Sequence, residues 1–228
     1  MQLIFIHGSG GCKEIWKYQA EYFDNAITVN LPGHPHGNLC ISIQEYSVWL
    51  DEFIQEQGFK DVVLVGHSMG GAIALQYALD HPKKLKGLVT IGSGAKLKVP
   101  VEVFSLLEKA LSNPEIVSQY INAAYTFIDP ELRQMIQARD LENTPAALLN
   151  DFRACDGFDV LTRLSEISIP VLAIVGDKDL LTPPKYTRFL VTNIQSAQEL
   201  VITRGTHFVF AEQPQIVNQG IEEFIQTL

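Results

Sequence analysis

The sequence predicts an α/β fold, a mostly parallel sheet of about six strands with a helical segment inserted into it. Three observations carry this expectation. Short runs rich in valine, isoleucine and leucine, stopped by glycine or proline, alternate with stretches of helical periodicity, the pattern of a parallel sheet with crossover helices. The run Asp61 to Val65 is nearly all valine and leucine, as in a strand buried on both faces. Between roughly Lys96 and Ser168 no convincing strand occurs, and beyond it the alternation resumes. A chain of 228 residues fits one domain, or one domain carrying an insertion, given the usual ~100–200 residues per domain.

The elements follow in order. Gln2 to Ile6 is a β-branched and aromatic run stopped by His7-Gly8, and Ala26 to Leu31 is stopped by Pro32-Gly33. Ser42 to Gln57 places Ile43, Tyr46, Leu50, Phe53 and Ile54 at helical spacing, with Gly58 where a C-terminal cap glycine belongs. The strand Asp61 to Val65 leads through a tight turn to a helix over Ala72 to Leu79, with Pro82 just beyond it. Leu85 to Ile91 is the fourth strand, ended by Gly92-Ser93-Gly94. In the inserted segment, Val101, Phe104, Leu107 and Leu111 share one helix face, and Ile116, Tyr120, Ala123 and Phe127 another. Pro114, Pro130 and Pro145 stand where first-turn prolines belong. A strand over Pro170 to Val175, a helix over Pro184 to Val191, a strand over Glu199 to Thr203 and a helix over Pro214 to Leu228 complete the chain. The expected division is a core of residues 1–95 and 169–228 and a helical cap of residues 96–168.

Composition narrows the function classes. With 17 Lys+Arg against 26 Asp+Glu the net charge is −9, which argues against nucleic acid as a partner. Three cysteines, Cys12, Cys40 and Cys155, without a CxxC spacing fit neither a disulfide framework nor a zinc site. The N-terminus has neither the cationic start nor the apolar length of a signal peptide, and the uncharged run after Asp61 is broken by His67, Ser68 and three glycines, so no integral membrane segment is expected. The expectation is a cytoplasmic globular protein.

The strongest local signal is Gly66-His67-Ser68-Met69-Gly70, followed by Gly71. Its placement, directly after a buried-type strand and directly before a helix, suits a serine on a sharp, strained turn that lifts Oγ above the sheet. A serine hydroxyl needs a base, and the base an orienting acid. Among six histidines, His207 lies in a loop just past the last strand, where it can return over the strand ends. His67 adjoins the serine but projects the wrong way, and the others lie at a strand end, in a proline-glycine loop or before Pro82. The acid follows the preceding strand in IVGDKDLLTPP, where spacing alone leaves Asp177 and Asp179 open.

These motifs together, HGSGG after the first strand, NLPGH after the second, GHSMGG, VGDKD and GTHFVFAEQP, resemble the α/β-hydrolase superfamily over nearly the whole chain, and its small capped carboxylesterase and lipase-like members in particular. The resemblance implies the α/β-hydrolase fold and the chain order Ser68, Asp, His207. It favours Asp179, the last residue of a Gly-x-x-Asp pattern, over Asp177. It also implies an oxyanion hole from the backbone amides of Ser9 and Met69, the first from the HGxG pattern and the second from the residue after the nucleophile. Two departures stand out. The chain opens directly on the HG strand, without the usual leading hairpin, so a reduced sheet with Gln2 to Ile6 still central is expected. The loop after the second strand reads Asn30-Leu31-Pro32-Gly33-His34-Pro35 where Asp-x-Pro-Gly-His-Gly is common, which puts its hydrogen bonding in question.

The function so implied is hydrolysis of a carboxylic ester through an acyl-enzyme on Ser68, needing no metal or other cofactor. Phe104, Leu107, Tyr120, Tyr125 and Phe127 are candidate pocket residues, with Val103 and Ile121 beside them. The cap's 7 basic and 11 acidic residues favour a small, uncharged or weakly polar ester over a phosphate-rich acyl carrier. The alternatives are cleavage of a C–C bond, thioester or amide by the same triad, or a non-catalytic ligand-binding member of the fold.

Overall fold

A computed structural model describes residues 1–228. Six strands, β1 (Gln2–Ile6), β2 (Ala26–Val29), β3 (Val62–His67), β4 (Leu85–Ile91), β5 (Val171–Gly176) and β6 (Ala197–Ile202), form one sheet in the order β2-β1-β3-β4-β5-β6. Every pairing is parallel. β1 lies inside the sheet but second from its edge, between β2 and β3, rather than at the centre.

Strand alternation divides the core into two layers. Ile4, Ile6, Val62, Leu64, Leu88, Val171 and Ala173 face one side, where they meet α2 (Ile43–Glu56), α3 (Met69–Asp80) and α8 (Pro184–Asn193). Leu3, Phe5, Val63, Val65, Val89, Ile91, Leu172 and Ile174 face the other, with Trp16, Phe210 and the apolar face of α10 (Pro214–Ile225). The pairings Ile4 with Leu64 and Leu64 with Leu88 keep each layer in register. A one-residue slip would exchange the two faces and unseat the packing of both layers.

Local chemistry sets the ends of the elements. Ser42 caps α2 by accepting from the Glu45 amide at 3.2 Å, and Gly58 follows it at φ +69°. Between β4 and β5 run α4 (Val101–Ala110), α5 (Glu115–Ala124), α6 (Pro130–Asp140) and α7 (Pro145–Asp156). Asp129 caps α6 and Thr144 caps α7, each followed by its first-turn proline; Pro114 is itself the cap of α5. The base of this segment is pinned by an isolated bridge between Lys96 and Asp159 and by Asp156, which accepts from the Val99 amide and from Lys98.

Several boundaries differ from the sequence reading. A 3-10 turn (Lys13–Trp16), the short α1 (Lys17–Tyr22), a second 3-10 turn (Leu164–Glu166) and α9 (Val209–Glu212) were not anticipated. β3 extends to His67 and α3 begins at Met69, three residues earlier than its apolar periodicity suggests, because the turn between them is a single residue. β2 ends at Val29, and β6 begins at Ala197 on the sheet edge, where half-exposed residues blur the alternation. Leu111 and Phe127 lie beyond the helices whose faces they were expected to extend, and both are exposed. No helix is long and apolar enough to cross a membrane.

Candidate active site

β3 carries the chain straight into Ser68, whose φ of +53° and ψ of −115° lie where non-glycine residues rarely sit. Strain of this kind costs of order 1–3 kcal/mol and persists only where the surroundings hold it. They do so here. The Ser68 amide donates to the Ile91 carbonyl at 2.9 Å, and Ser93 Oγ donates to the Ser68 carbonyl at 2.8 Å. The flanking glycines are demanded by contact: a Cβ on Gly66 would stand 2.2 Å from the Gly70 carbonyl oxygen, and one on Gly70 2.2 Å from that of Ile6. The result is a half-buried Ser68 on the wall of a cavity of about 400 Å³.

His207 lines the same cavity. Its Nδ1 is 2.8 Å from Asp179 Oδ2, which leaves Nε2 free toward the cavity side. Asp179 is buried and fully engaged. Its Oδ1 accepts from the amides of Leu181 and Thr182 at 2.9 and 2.8 Å, and Oδ2 also accepts from Thr182 Oγ1 at 2.8 Å. Burial pushes the Asp179 carboxyl up, but the hydrogen bond and charge of His207, together with Thr182, outweigh it and hold the carboxyl below its ordinary value. Asp177 does not meet His207; it accepts from the Arg204 amide and steadies the turn. Ser68 Oγ is not among the hydrogen-bond partners of His207 in this structure, whose bonds run through Nδ1 to Asp179 and Thr182.

His67 borders the same cavity but serves to support His207. Its Nε2 donates to the His207 carbonyl at 3.0 Å, and its ring lies 4.7 Å from that of His207 and against Phe208 and Phe210. Burial drives its imidazole well below the ordinary value, so it stays neutral.

The amides of Ser9 and Met69 donate to no other backbone group. The Met69 amide opens α3, where helix N–H groups favour negative charge. The Ser9 loop is held by residues that the sequence reading did not single out. Buried Asp151 on α7 accepts from the Gly10 amide, Tyr46 Oη and His34 Nε2, each at 2.8 Å. Asn143 Nδ2 donates to the carbonyls of Gly10 and Gly11 at 2.9 and 3.1 Å. His34 Nδ1 also faces an acceptor, the Pro32 carbonyl, at 3.1 Å. Burial lowers its pKa, but Asp151 and these carbonyl bonds outweigh that and raise it. His7 is the opposite case: Nε2 accepts from the Leu31 amide, and burial together with His34 depresses the imidazole to about 3. Asn30, at the departure from the common loop pattern, accepts from the Lys13 amide at 2.7 Å, so that hydrogen bond runs to the unforeseen 3-10 turn.

Of the expected pocket residues, Tyr120 and Tyr125 line the cavity, joined by Val103 and Ile121. Phe104, Leu107 and Phe127 do not. Leu107 is buried in the core layer beneath the inserted helices, Phe104 packs beside it, and Phe127 is 68% exposed. Helical periodicity tells which face of α4 is buried but not whether it meets a neighbouring helix or an open space. Val117, Leu148 and Phe152 complete much of the apolar lining.

A half-buried serine on a strained turn, an Asp–His pair and the Ser9 amide at one cavity above a parallel sheet, with the Met69 amide next to the serine, define a hydrolase-type site. The sequence model of the alpha/beta hydrolase family matches residues 3–219, and the chain belongs to that family. It is similar to the pimeloyl-[acyl-carrier protein] methyl ester esterases of Vibrio atlanticus (25% identical, covering 98% of this chain and 94% of that protein) and Aeromonas hydrophila (25%, 98% and 94%). Among solved structures it resembles a lipase-esterase related protein from Clostridium acetobutylicum, with a TM-score of 0.84 and 27% identity over 98% of this chain and 93% of that one. An esterase from Exiguobacterium antarcticum shares the fold, with a TM-score of 0.90 at 19% identity over 99% and 92%.

Proposed function

We propose that this chain is a serine hydrolase of carboxylic esters that works through an acyl-enzyme on Ser68. The observation that carries the reading is the 2.8 Å His207–Asp179 pair beside the strained Ser68 turn at one cavity. His207 Nε2 takes the Ser68 proton as Oγ attacks the ester carbonyl, and Asp179 orients the imidazole and stabilises its charged form. The developing oxyanion is received by the Ser9 and Met69 amides. They need not reorganise, because Asp151, Asn143 and the start of α3 hold them. The alcohol leaves with the proton from His207, and water activated by the same imidazole releases the acid. Every step uses side chains and backbone amides of this chain.

Residues 96–168 act as the cap over a core of residues 1–95 and 169–228, and Tyr120 and Tyr125 contribute to the substrate wall. The ester class is supported by the names of the Vibrio and Aeromonas relatives and of the Clostridium structure, none of which names an amide or thioester. The Vibrio and Aeromonas relatives are named for a methyl ester on an acyl-carrier protein; the cap of this chain instead supports an uncharged or weakly polar ester without a phosphate-bearing carrier. Of its seven basic residues, Lys96, Lys98, Arg139, Arg153 and Arg163 already face carboxylates. Turnover of p-nitrophenyl butyrate by wild type and Ser68→Ala tests the reading: the variant is expected to lose at least 10³-fold in kcat, and equal rates would overturn it.

A further inference from the structure

The chain has seven tyrosines, and in five of them the hydroxyl donates to a carboxylate: Tyr18 to Asp129, Tyr22 to Glu222, Tyr46 to Asp151, Tyr77 to Asp51 and Tyr125 to Asp140. The two whose hydroxyls have no protein partner, Tyr120 on α5 and Tyr186 on α8, both line the cavity. Tyr186 follows the exposed Lys185, whose ammonium stands 5.6 Å over its ring, and so borders solvent. Tyr120 is enclosed. Its ring meets Phe152 edge-on at 6.4 Å, and Val117, Ile121 and Ala124 of the same helix line the cavity with it. Burial pushes its phenol above the ordinary value, so the hydroxyl keeps its proton and lies away from bulk water. Oη is nonetheless not sealed: it keeps accessible surface, which buried orphan atoms such as Trp16 Nε1 lack. The Cys155 thiol near it is a poor acceptor and already stands 3.6 Å from Ser9 Oγ.

An enclosed donor without a partner is costly, and in a ligand cavity it marks where a ligand supplies the acceptor. We propose that Tyr120 is a specificity-determining residue whose hydroxyl donates to an uncharged hydrogen-bond acceptor of the substrate, an ether, ketone or amide oxygen, so that the preferred ester carries such an oxygen along its acyl or its alcohol chain. This rests on the esterase reading and names its substrate class. A carboxylate would accept as well, but it would lose its water with no free cation to meet it: of the two lysines on the cavity wall, Lys98 is paired with Asp156 and Lys185 is exposed. A donor aimed at one position of a chain discriminates more strongly than apolar walls, which tell chains apart only weakly.

The test measures kcat/KM for p-nitrophenyl octanoate against its 3-, 5- and 7-oxa analogues, in which an ether oxygen replaces one methylene of the acyl chain. A second arm, butyl against 2-methoxyethyl butyrate, places the oxygen in the alcohol. The reading is the oxa-to-plain ratio in wild type divided by the same ratio in Tyr120→Phe, so that the intrinsic reactivity of each ester and any uniform loss cancel. The quotient is expected to reach about fivefold or more at one position, as a single neutral hydrogen bond supports, and the arm in which it does so tells the acyl from the alcohol side. A quotient within about twofold of one in both arms would overturn the assignment, and Ser68-dependent turnover in the same assays would leave the esterase reading intact. Tyr120→Phe removes one atom and no protein contact, so its Tm is expected within about 2 °C of wild type, and a fall of more than about 5 °C would reveal a structural partner and overturn the assignment too. Thermal shifts of wild type with octanamide, N-butylbutanamide and their oxa analogues need neither the variant nor any turnover. A larger shift for one oxa amide than for its parent is expected, and none larger would overturn the subsite. Absence of all ester turnover with that larger shift would instead defeat the esterase reading and leave the role of Tyr120 standing.

Discussion

Asp151→Ala is expected to damage stability and catalysis together, although residue 151 lies on a helix of the inserted segment. Three buried donors converge on this carboxylate, the Gly10 amide, Tyr46 Oη and His34 Nε2, each at 2.8 Å. Removing it strands all three, and a buried polar group left without its partner costs about 1–3 kcal/mol. Partial relaxation brings the sum to about 3–5 kcal/mol. For a chain of this size each kcal/mol moves Tm by roughly 2–4 °C, so a drop on the order of 6–20 °C is expected. The Gly10 amide adjoins Ser9, so the freed loop also loosens an oxyanion donor. Complete loss of such a donor costs about 10²–10³ in kcat, and a loosened one should cost about 10–100-fold with little change in KM. Circular-dichroism melts and p-nitrophenyl butyrate kinetics at 15 °C, where the variant is still folded, give both numbers. A Tm within 2 °C of wild type, or a full kcat in the folded variant, would refute the coupling between α7 and the Ser9 loop.

Further outcomes follow from other contacts. Gly70→Ala should abolish soluble expression or activity, since its Cβ would meet the Ile6 carbonyl oxygen at 2.2 Å; Gly58→Ala meets nothing within 4 Å and should cost only about 1 kcal/mol in urea unfolding, for its φ of +69°. Asp179 has a lowered pKa, so its contribution to stability is present above about pH 3.9 and lost as pH falls through its folded value. His34 has a raised pKa, so its contribution is present below about pH 6.5 and lost as pH rises through its folded value. Melting curves across pH should therefore lose acid sensitivity in Asp179→Asn and alkaline sensitivity in Asp151→Asn. Val103→Trp should fill part of the cavity and shift the preferred acyl chain of p-nitrophenyl esters to shorter lengths, while Phe127→Ala, outside the cavity, should leave that profile unchanged.

Much of the architecture is written locally. Strand runs end at His7-Gly8 and Gly92, and the Gly66–Gly71 segment announces a sharp turn because its backbone atoms leave no room for side chains. The acid and base lie directly after strands, so their approach follows from topology. The 3-10 turn and α1 were hidden because Ile15, Trp16 and Gln19 are too few to declare a period, and they are buried only by docking against Phe210 and Asn218. Asp151, Asn143 and Asp140 carry no local signature. The partners of Asp151 and Asn143 lie about a hundred residues or more away, and a lone polar residue in a helical stretch reads as surface until the fold brings those partners to it. The pocket residues were only partly legible for a related reason: α4 and α5 each bury one face, but only the packing of the inserted helices decides which positions border open space.

The central claim is that Ser68 is the nucleophile and that His207 activates it. Intact-mass and peptide mass spectrometry after treatment with a fluorophosphonate measures this most directly. The account predicts one adduct per chain, carried by the peptide containing Ser68, absent in Ser68→Ala and formed at least 10²-fold more slowly in His207→Ala. An adduct at another residue, or equal labelling rates with and without His207, would contradict it.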